Sequence, residues 1–277
     1  MGGPQTFGSI TNKVTQHIRE LLTFAASKGL AFTYRPKFSG WGMTTRQEPP
    51  WNDEFDWASF RQTCSDVKHN FEFGSGTIGI DAGNVDSLKW RHWIVSYATR
   101  QVCRFARTNQ YEFVECGVAD GMSAFFALRE IRAESKLQKS TFHLYDSWKA
   151  MRKESLSGSE QKMVGHYSDL DLARTKKNLE EFKGNIIYHV GYIPESFQTE
   201  SPESIAYLHI DLNSAKATLE TLRYFYPRLV DRGVILFDDY GFDGFVETKR
   251  VIDGFIHDKP GILEKSPTGQ AMYYHSK

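Results

Sequence analysis

From residue 111 onward, short apolar segments alternate with longer amphipathic ones, and this alternation constrains the fold more than any other feature. Runs typical of buried strands are 112–116, 141–145, 186–190, 205–210 and 233–237. Strands that alternate with helices form a parallel sheet with crossover helices. The last segment, ILEKSPTGQAMYYHSK, indicates two further strands joined by a turn. We therefore predict an α/β fold: a doubly wound, mostly parallel seven-stranded sheet with a C-terminal antiparallel hairpin.

The chain divides at about residue 85. The part before this point has many turn residues and aromatic residues, and we predict that residues 1–85 are an N-terminal extension that binds an acceptor or forms a dimer contact. Residues 86–277 are predicted to form the main domain. Helical periodicity predicts helices over 11–28, 86–105, 123–135, 169–183, 215–230 and 243–257.

Charge and cysteine content limit the function classes. The formal net charge is +0 and the isoelectric point is about 7.1, so no overall field favours nucleic acid or an anionic membrane as a partner. No apolar run is long enough to span a bilayer. Cys64, Cys103 and Cys116 are widely spaced, which favours a reducing compartment, and we expect a cytoplasmic protein.

The run YEFVECGVADGMSAFFAL (111–128) combines a strand, a glycine turn and the start of a helix. Gly117 and Gly121 permit a tight turn close to a ligand, and Ser123 is a candidate helix cap. Glu115 stands just before the turn. This arrangement resembles the first cofactor motif of class I S-adenosylmethionine-dependent methyltransferases. In that motif an acidic residue interacts with the positive charge of the methionine part through a hydrogen bond or a water. A glycine turn of this kind is also a plain feature of parallel sheets.

Polar residues follow the next two strands as well. Asp146, with Ser147 beside it, ends the second strand, and its carboxylate can accept hydrogen bonds from ribose hydroxyls. Gly191 and Tyr192 follow the third strand, where the glycine allows an adenine to approach and the tyrosine can stack beside it. Each residue also has a structural interpretation, as the start of a turn, a loop glycine or a core aromatic residue.

Carboxylates cluster at the ends of the fourth and fifth strands. Asp211 ends one strand and Asp238 and Asp239 end the other. Carboxylates that converge repel one another unless a cation compensates them, and hard oxygen ligands suit Mg²⁺ or another divalent ion. We predict these three residues as metal ligands. If Asp211 does not ligate the metal directly, it is the first candidate for a catalytic base, with His166 and Tyr167 as weaker candidates.

Several motifs together resemble the macrocin O-methyltransferase family over residues 86–277. The matching segments are ECGVADGMSA (115–124), YDSW (145–148), GYIPESF (191–197), LHIDLNSAKATLETL (208–222), YPRLVDRGVILFDDYG (226–241) and PTGQ (267–270). Many relatives have an acidic residue where this chain has Asn213. The resemblance implies the class I methyltransferase fold, S-adenosylmethionine as cofactor, a divalent metal, and a small hydroxyl acceptor such as a sugar or glycoside. A homo-oligomer is a possible assembly.

Two other functions remain open from the sequence. A nicotinamide-dependent oxidoreductase shares the strand–turn–helix and the acidic second strand end, although GVADG lacks the spacing G-x-G-x-x-G and that function gives Asp211, Asp238 and Asp239 no task. The other is a catalytically silent methyltransferase fold that serves as a binding module.

The polar segment 147–167 is predicted to lie over the site, either as a lid or as a solvated loop.

Overall fold

A seven-stranded sheet forms the centre of the molecule, with strand order β3-β2-β1-β4-β5-β7-β6. The computed structural model describes residues 49, 52–74, 85–198 and 200–276. The strands are β1 (Tyr111–Cys116), β2 (Ser140–Asp146), β3 (Ile186–Val190), β4 (Ile205–Ile210), β5 (Leu229–Phe237), β6 (Gly261–Lys265) and β7 (Ala271–His275). The first five are parallel, and β7 pairs antiparallel with both β5 and β6. The predicted fold class is confirmed.

In the described part of the chain, two helices precede β1 and four lie between strands. Within the described residues they are α1 (Phe55–Asn70), α2 (Lys89–Phe105), α3 (Met122–Ala133), α4 (Leu172–Asn178), α5 (Ala215–Phe225) and α6 (Val246–Ile256). The predicted helix 169–183 is shorter, because Asp171 caps its start by accepting from the Ala173 amide and a 3₁₀ segment begins at Glu180. The predicted helix 11–28 lies outside the described residues.

Each face of the sheet carries its own apolar core. Phe113, Phe142 and Tyr207 face a core that includes Trp57 of α1 and Phe126 of α3. The opposite face packs against α5 and α6. Successive strand residues point to opposite faces, so the central strands are apolar on both sides.

The segment before residue 86 packs against the rest of the molecule where it is described. Trp57 is fully buried and Phe60 is 3% exposed, and both belong to the core beneath α3. At Gly74 the backbone amide donates to the Asp120 carboxylate at 3.0 Å, next to the glycine turn. The role of residues 1–85 stays a prediction.

The polar segment 147–167 is folded and docked. It contains two 3₁₀ turns, Lys153–Ser155 and Gly158–Met163, and its ends are joined by backbone bonds between Met151 and the pair Gly165 and His166. Leu156 and Met163 are buried. The solvated-loop alternative is therefore wrong, because the segment has its own buried side chains. None of the described helices is long and apolar enough to cross a membrane.

Candidate active site

The carboxyl ends of the parallel strands form one continuous edge, because each backbone bonds to its neighbour just beyond the regular sheet. These N–H···O=C bonds, 2.9 or 3.0 Å long, join Gly191 to Asp146, Gly117 to Tyr145, Asp211 to Cys116 and Asp238 to Ile210. The residues predicted for separate strands are thereby brought together. We call the ends of β1, β2 and β3, with the turn 117–121, the cofactor half, and the ends of β4 and β5 the acidic half.

Strained backbone concentrates at this edge. Of the seven non-glycine residues with positive φ in the described part of the chain, three lie in the loops that follow β1, β2 and β4: Ala119 (49°), Trp148 (46°) and Asn213 (51°). A fourth, Tyr167 (64°), ends the docked segment. Such conformations cost roughly 1–3 kcal/mol each and persist where surrounding contacts hold them, often at functional sites. The edge is therefore the candidate active site.

The glycine turn is fixed by its neighbours. Gly117 has φ +89°, and a Cβ there would lie 1.8 Å from the carbonyl oxygen of Asp211. Gly121 has φ +88°, and its Cβ would contact Thr175 and Leu179 at 3.1–3.2 Å. Both glycines are thus required by packing, and any contact with a cofactor comes in addition. The turn also ties the cofactor half to the acidic half.

Glu115 lies beneath the turn and is fully buried. Ser123 donates a 2.6 Å hydrogen bond to its Oε1 atom. The predicted capping role of Ser123 is wrong, since α3 starts after Gly121 without a side-chain cap and the hydroxyl is used by Glu115. Oε2 of Glu115 has no hydrogen-bond partner in the described part of the chain. A buried carboxylate oxygen that lacks a donor fits the positively charged methionine part of the predicted cofactor, or a water between them.

Asp146 organises the cofactor half through backbone amides. Its Oδ2 atom accepts from Val118 (2.7 Å) and Ala119 (3.0 Å), and Oδ1 accepts from Trp148 (2.7 Å). A carboxylate offers about four acceptor positions, so the half-buried Asp146 keeps one for a ligand hydroxyl. Ser147 instead forms a local turn with the backbone of Lys149 at 3.2 Å.

The third strand end lies beside the docked segment. Gly191 adopts φ +151°. The Tyr192 hydroxyl donates to the carbonyl of Ala150 at 2.8 Å, and the Arg152 guanidinium lies 4.3 Å from the centre of its ring. Tyr192 is therefore held by residues 150–152, with one ring face covered by a cation.

In the acidic half, Asp238 is held by two donors from distant segments. Gln270 of the hairpin turn donates to its Oδ1 at 2.7 Å, and Arg91 of α2 forms an ion pair with Oδ2. His209 Nε2 lies 3.8 Å from the same Oδ1, while Nδ1 lies 3.6 Å from Oε2 of Glu115. His209 is thus placed between the two halves.

Asp211 and Asp239 have less compensation. Desolvation by burial raises the pKa of Asp211, although His209 and Arg91 oppose the shift. Desolvation, with the negative charge of Asp211, raises the pKa of Asp239 to about 7. The Asn213 amide donates to Asp239 at 3.1 Å. Burial and the carboxylates of Asp211, Asp239 and Asp146 also raise the pKa of Tyr167, a weaker candidate for a base.

These side chains fit a divalent cation. His209, Asp211 and Asp238 each place one possible ligand atom within 4.8 Å of the others. Asp239 interacts electrostatically with this cluster, because the charge of Asp211 helps to raise its pKa. Asp238 already pairs with Arg91, but burial raises the pKa of Asp211 and Asp239, so these two carboxylates need a counter-charge, and hard oxygen donors suit Mg²⁺. His209 was not predicted as part of the cluster. Its signal is the spacing His209-x-Asp211, because a residue at the end of β4 and one directly after the strand, two positions apart, point to the same side in extended backbone.

Comparison with known proteins agrees with this geometry. The sequence profile of a family described as "Methyltransferase domain" matches residues 114–240, a span that holds the glycine turn and both halves of the edge. The matched span has the sequence profile of a methyltransferase domain. The predictions of a class I methyltransferase, and of S-adenosylmethionine as its cofactor, are confirmed by this match and by the sheet order. No curated protein sequence matches the chain.

Solved structures resemble the methyltransferase in fold. The O-methyltransferase NovP is 16% identical with a TM-score of 0.66, covering 80% of this chain and 100% of NovP. The calicheamicin methyltransferase CalS11 is 15% identical with a TM-score of 0.57, covering 86% and 99%. The apo structure of CalS11 is described as that of a TDP-rhamnose 3'-O-methyltransferase. SAH-bound PaMTH1 of Podospora anserina is 11% identical with a TM-score of 0.50, covering 100% of both chains. At these identities the likeness concerns the fold.

Proposed function

We propose that this domain transfers a methyl group from S-adenosylmethionine to a hydroxyl oxygen of a sugar or natural-product glycoside, with a divalent cation bound in the acidic half. The observation that carries the proposal is the position of His209, Asp211 and Asp238, whose possible ligand atoms lie within 4.8 Å of one another at the edge that also holds the glycine turn. Asp239 is proposed as a further ligand. Nicotinamide chemistry gives these carboxylates no role. NovP and CalS11, which share the fold, are O-methyltransferases, and CalS11 acts on a sugar nucleotide.

The cofactor would lie along the cofactor half. Gly117, Gly121 and Ser123 shape the turn, and the orphan oxygen of Glu115 faces the methionine part. Asp146 offers one acceptor position to a ribose hydroxyl. Residues around Gly191 and Tyr192 would hold the adenine, with Ser147 nearby. A methyl group on a sulfonium is already activated, so the protein mainly has to align it with the attacking oxygen.

The acceptor oxygen would approach from the acidic half. A divalent ion held by Asp211, Asp238 and Asp239 supplies positive charge that lowers the pKa of an acceptor hydroxyl. The oxygen then forms a bond to the methyl carbon as the carbon–sulfur bond breaks, which leaves S-adenosylhomocysteine. Asp211, whose pKa is raised by burial, is the proposed acceptor of the hydroxyl proton. Tyr167 closes the site on the side of the docked segment.

The proposal extends to the N-terminal part of the chain and to the location of the enzyme. Residues 1–85 would contribute to acceptor binding or to a homodimer contact. The three cysteines are free and buried, and we propose a cytoplasmic enzyme on that basis.

Calorimetry and a transfer assay test the proposal. S-adenosylmethionine should bind, NAD should not, and Mg²⁺ should bind to the same protein. Incubation with S-adenosylmethionine and a panel of sugar nucleotides and glycosides should add one methyl group to an oxygen, as seen by mass spectrometry. Binding of NAD in place of S-adenosylmethionine, or methylation on nitrogen or carbon alone, would overturn it.

A further inference from the structure

A fully buried carboxylate lies outside the predicted site. Glu160 belongs to the 3₁₀ turn Gly158–Met163 of the docked segment and is 0% exposed. Burial of a charged group is expensive unless hydrogen bonds replace its water shell. Glu160 has such bonds on both oxygens, and its donors come from three different parts of the chain.

The donors connect the docked segment to the helices that follow the two loops of the acidic half. Oε1 accepts from the backbone amide of Ala215 and from the Thr248 hydroxyl, each at 2.8 Å. Ala215 is the first residue of α5, directly after the loop that begins at Asp211. Thr248 is in the first turn of α6, which follows the loop that begins at Asp238. One oxygen therefore joins the two helices that follow the acidic half.

The other oxygen holds the docked segment itself. Oε2 accepts from the amide and the hydroxyl of Ser157 at 3.2 and 3.3 Å, which completes a capping box. Two more bonds support the same attachment: Ser214 donates to the carbonyl of Ser155, and Lys216 donates to that of Glu154 at 3.2 Å. Since the segment is closed on itself by Met151 and His166, anchoring at Glu160 fixes it as a unit.

The fixed segment ends at the active site. Tyr167 follows His166 directly in a left-handed conformation, and the carboxylates of Asp211, Asp239 and Asp146 act on its hydroxyl. Glu160 therefore links the helices that follow the acidic half to the segment that ends at Tyr167.

A second carboxylate, Glu247 of α6, binds the same segment and provides a matched comparison. Glu247 accepts from the amide and hydroxyl of Ser159 at 3.0 and 2.6 Å, so it also joins the segment to α6. Glu247 lies at the surface and makes no bond to α5 in the described structure. The two glutamates thus differ in burial and in the connection to the loop of Asp211.

We propose that Glu160 is a positioning residue that couples docking of the segment 147–167 to divalent-ion binding by Asp211, Asp238 and Asp239. The inference rests on the proposed function for the existence of the metal site. A bound ion draws the two acidic loops together, and the same loops begin the helices that supply two of the donors to Glu160. Ion binding therefore stabilises the docked segment, and the docked segment raises the affinity for the ion.

The test compares Glu160→Gln with Glu247→Gln, which make the same change of charge. Calorimetry measures the affinities for Mg²⁺ and S-adenosylmethionine separately. Trypsin cleavage after the exposed Lys153 and Lys162, followed by mass spectrometry, reports undocking with and without Mg²⁺. In the wild type, Mg²⁺ should slow these cleavages. Glu160→Gln should weaken Mg²⁺ binding by about tenfold, cleave about tenfold faster and lose the protection by Mg²⁺.

The controls separate positioning from general damage. Glu247→Gln should retain both affinities and the protection by Mg²⁺, and Glu160→Gln should retain its affinity for S-adenosylmethionine. If Glu160→Gln does not fold, Thr248→Val removes one donor only and should show the same changes at smaller size. Wild-type Mg²⁺ affinity and cleavage in Glu160→Gln would overturn the inference while leaving the proposed function intact. A wild-type protein that binds no Mg²⁺ would overturn the coupling together with the metal part of the proposed function.

Discussion

The two halves of the edge satisfy their carboxylates by different means. In the cofactor half, Asp146 accepts from three backbone amides and Glu115 from Ser123. In the acidic half, Asp238 has Arg91 and Gln270, while burial raises the pKa of both other aspartates. Backbone amides build a site that is complete before a ligand arrives. Clustered carboxylates leave an excess of negative charge that a bound cation or a proton must neutralise.

The largest expected effect comes from removing one negative charge from the acidic half. Asp239→Asn should lower methyl transfer by about a thousandfold, which corresponds to about 4 kcal/mol of barrier. S-adenosylmethionine binding should remain, because the cofactor half is unchanged, and stability should not fall. Steady-state transfer rates and calorimetry measure these changes, with the exposed Glu264→Gln as control. An excess of chelator should abolish activity in the wild type and Mg²⁺ should restore it; full activity in chelator would contradict the metal site.

The junction of the two halves should be intolerant of a single methyl group. Gly117→Ala should lower the free energy of unfolding by about 3 kcal/mol or more, because the new Cβ would collide with the carbonyl of Asp211 in a left-handed backbone. Denaturant unfolding measures the loss. Gly254→Ala in α6 is the control, since its Cβ meets nothing within 4 Å, and it should stabilise by about 0.5–1 kcal/mol. Equal stabilities of the two variants would show that the turn is not rigid.

The cofactor half can be weakened alone. Asp146→Asn replaces an accepting oxygen by an amide that must face N–H donors, so the turn 117–121 loosens. Affinity for S-adenosylmethionine should fall by about 1–3 kcal/mol, whereas Mg²⁺ affinity should not change. Calorimetry with each ligand measures both. Unchanged cofactor affinity would remove Asp146 from the binding site, and an equal loss for Mg²⁺ would show that the halves are not independent.

The smallest expected effect concerns pH. The pKa of Asp239 is raised from 3.8 to about 7, so the metal-free folded state binds its proton more tightly than the unfolded state. The resulting stability is fully present below about pH 4 and is lost as pH rises to about 7. Asp239→Asn should remove about 1–2 kcal/mol of this dependence. Thermal unfolding in chelator from pH 4 to 8 measures it; identical pH profiles for both proteins would contradict the raised pKa.

Much of the fold followed from local pattern. The pattern of apolar runs predicted all seven strands in the described residues. Glu115, Asp146, Asp211 and Asp238 were assigned to strand ends because they are the polar residues at which these runs end. The predictions failed where partners come from elsewhere in the chain. The role of Ser123 is an example, because its hydroxyl is used by Glu115 on the preceding strand and not by the helix start.

The order of the elements and the chemical identity of the strand ends were thus determined by the sequence itself, since hydrophobic period and glycine position act over a few residues. The tertiary structure alone decided how each carboxylate is compensated. Arg91 reaches Asp238 across 147 positions and Thr248 reaches Glu160 across 88. Burial of Asp239 and Glu160 likewise depends on the packing of separate segments. Desolvation and long-range hydrogen bonds therefore set the charge balance of the site, and neither is encoded locally.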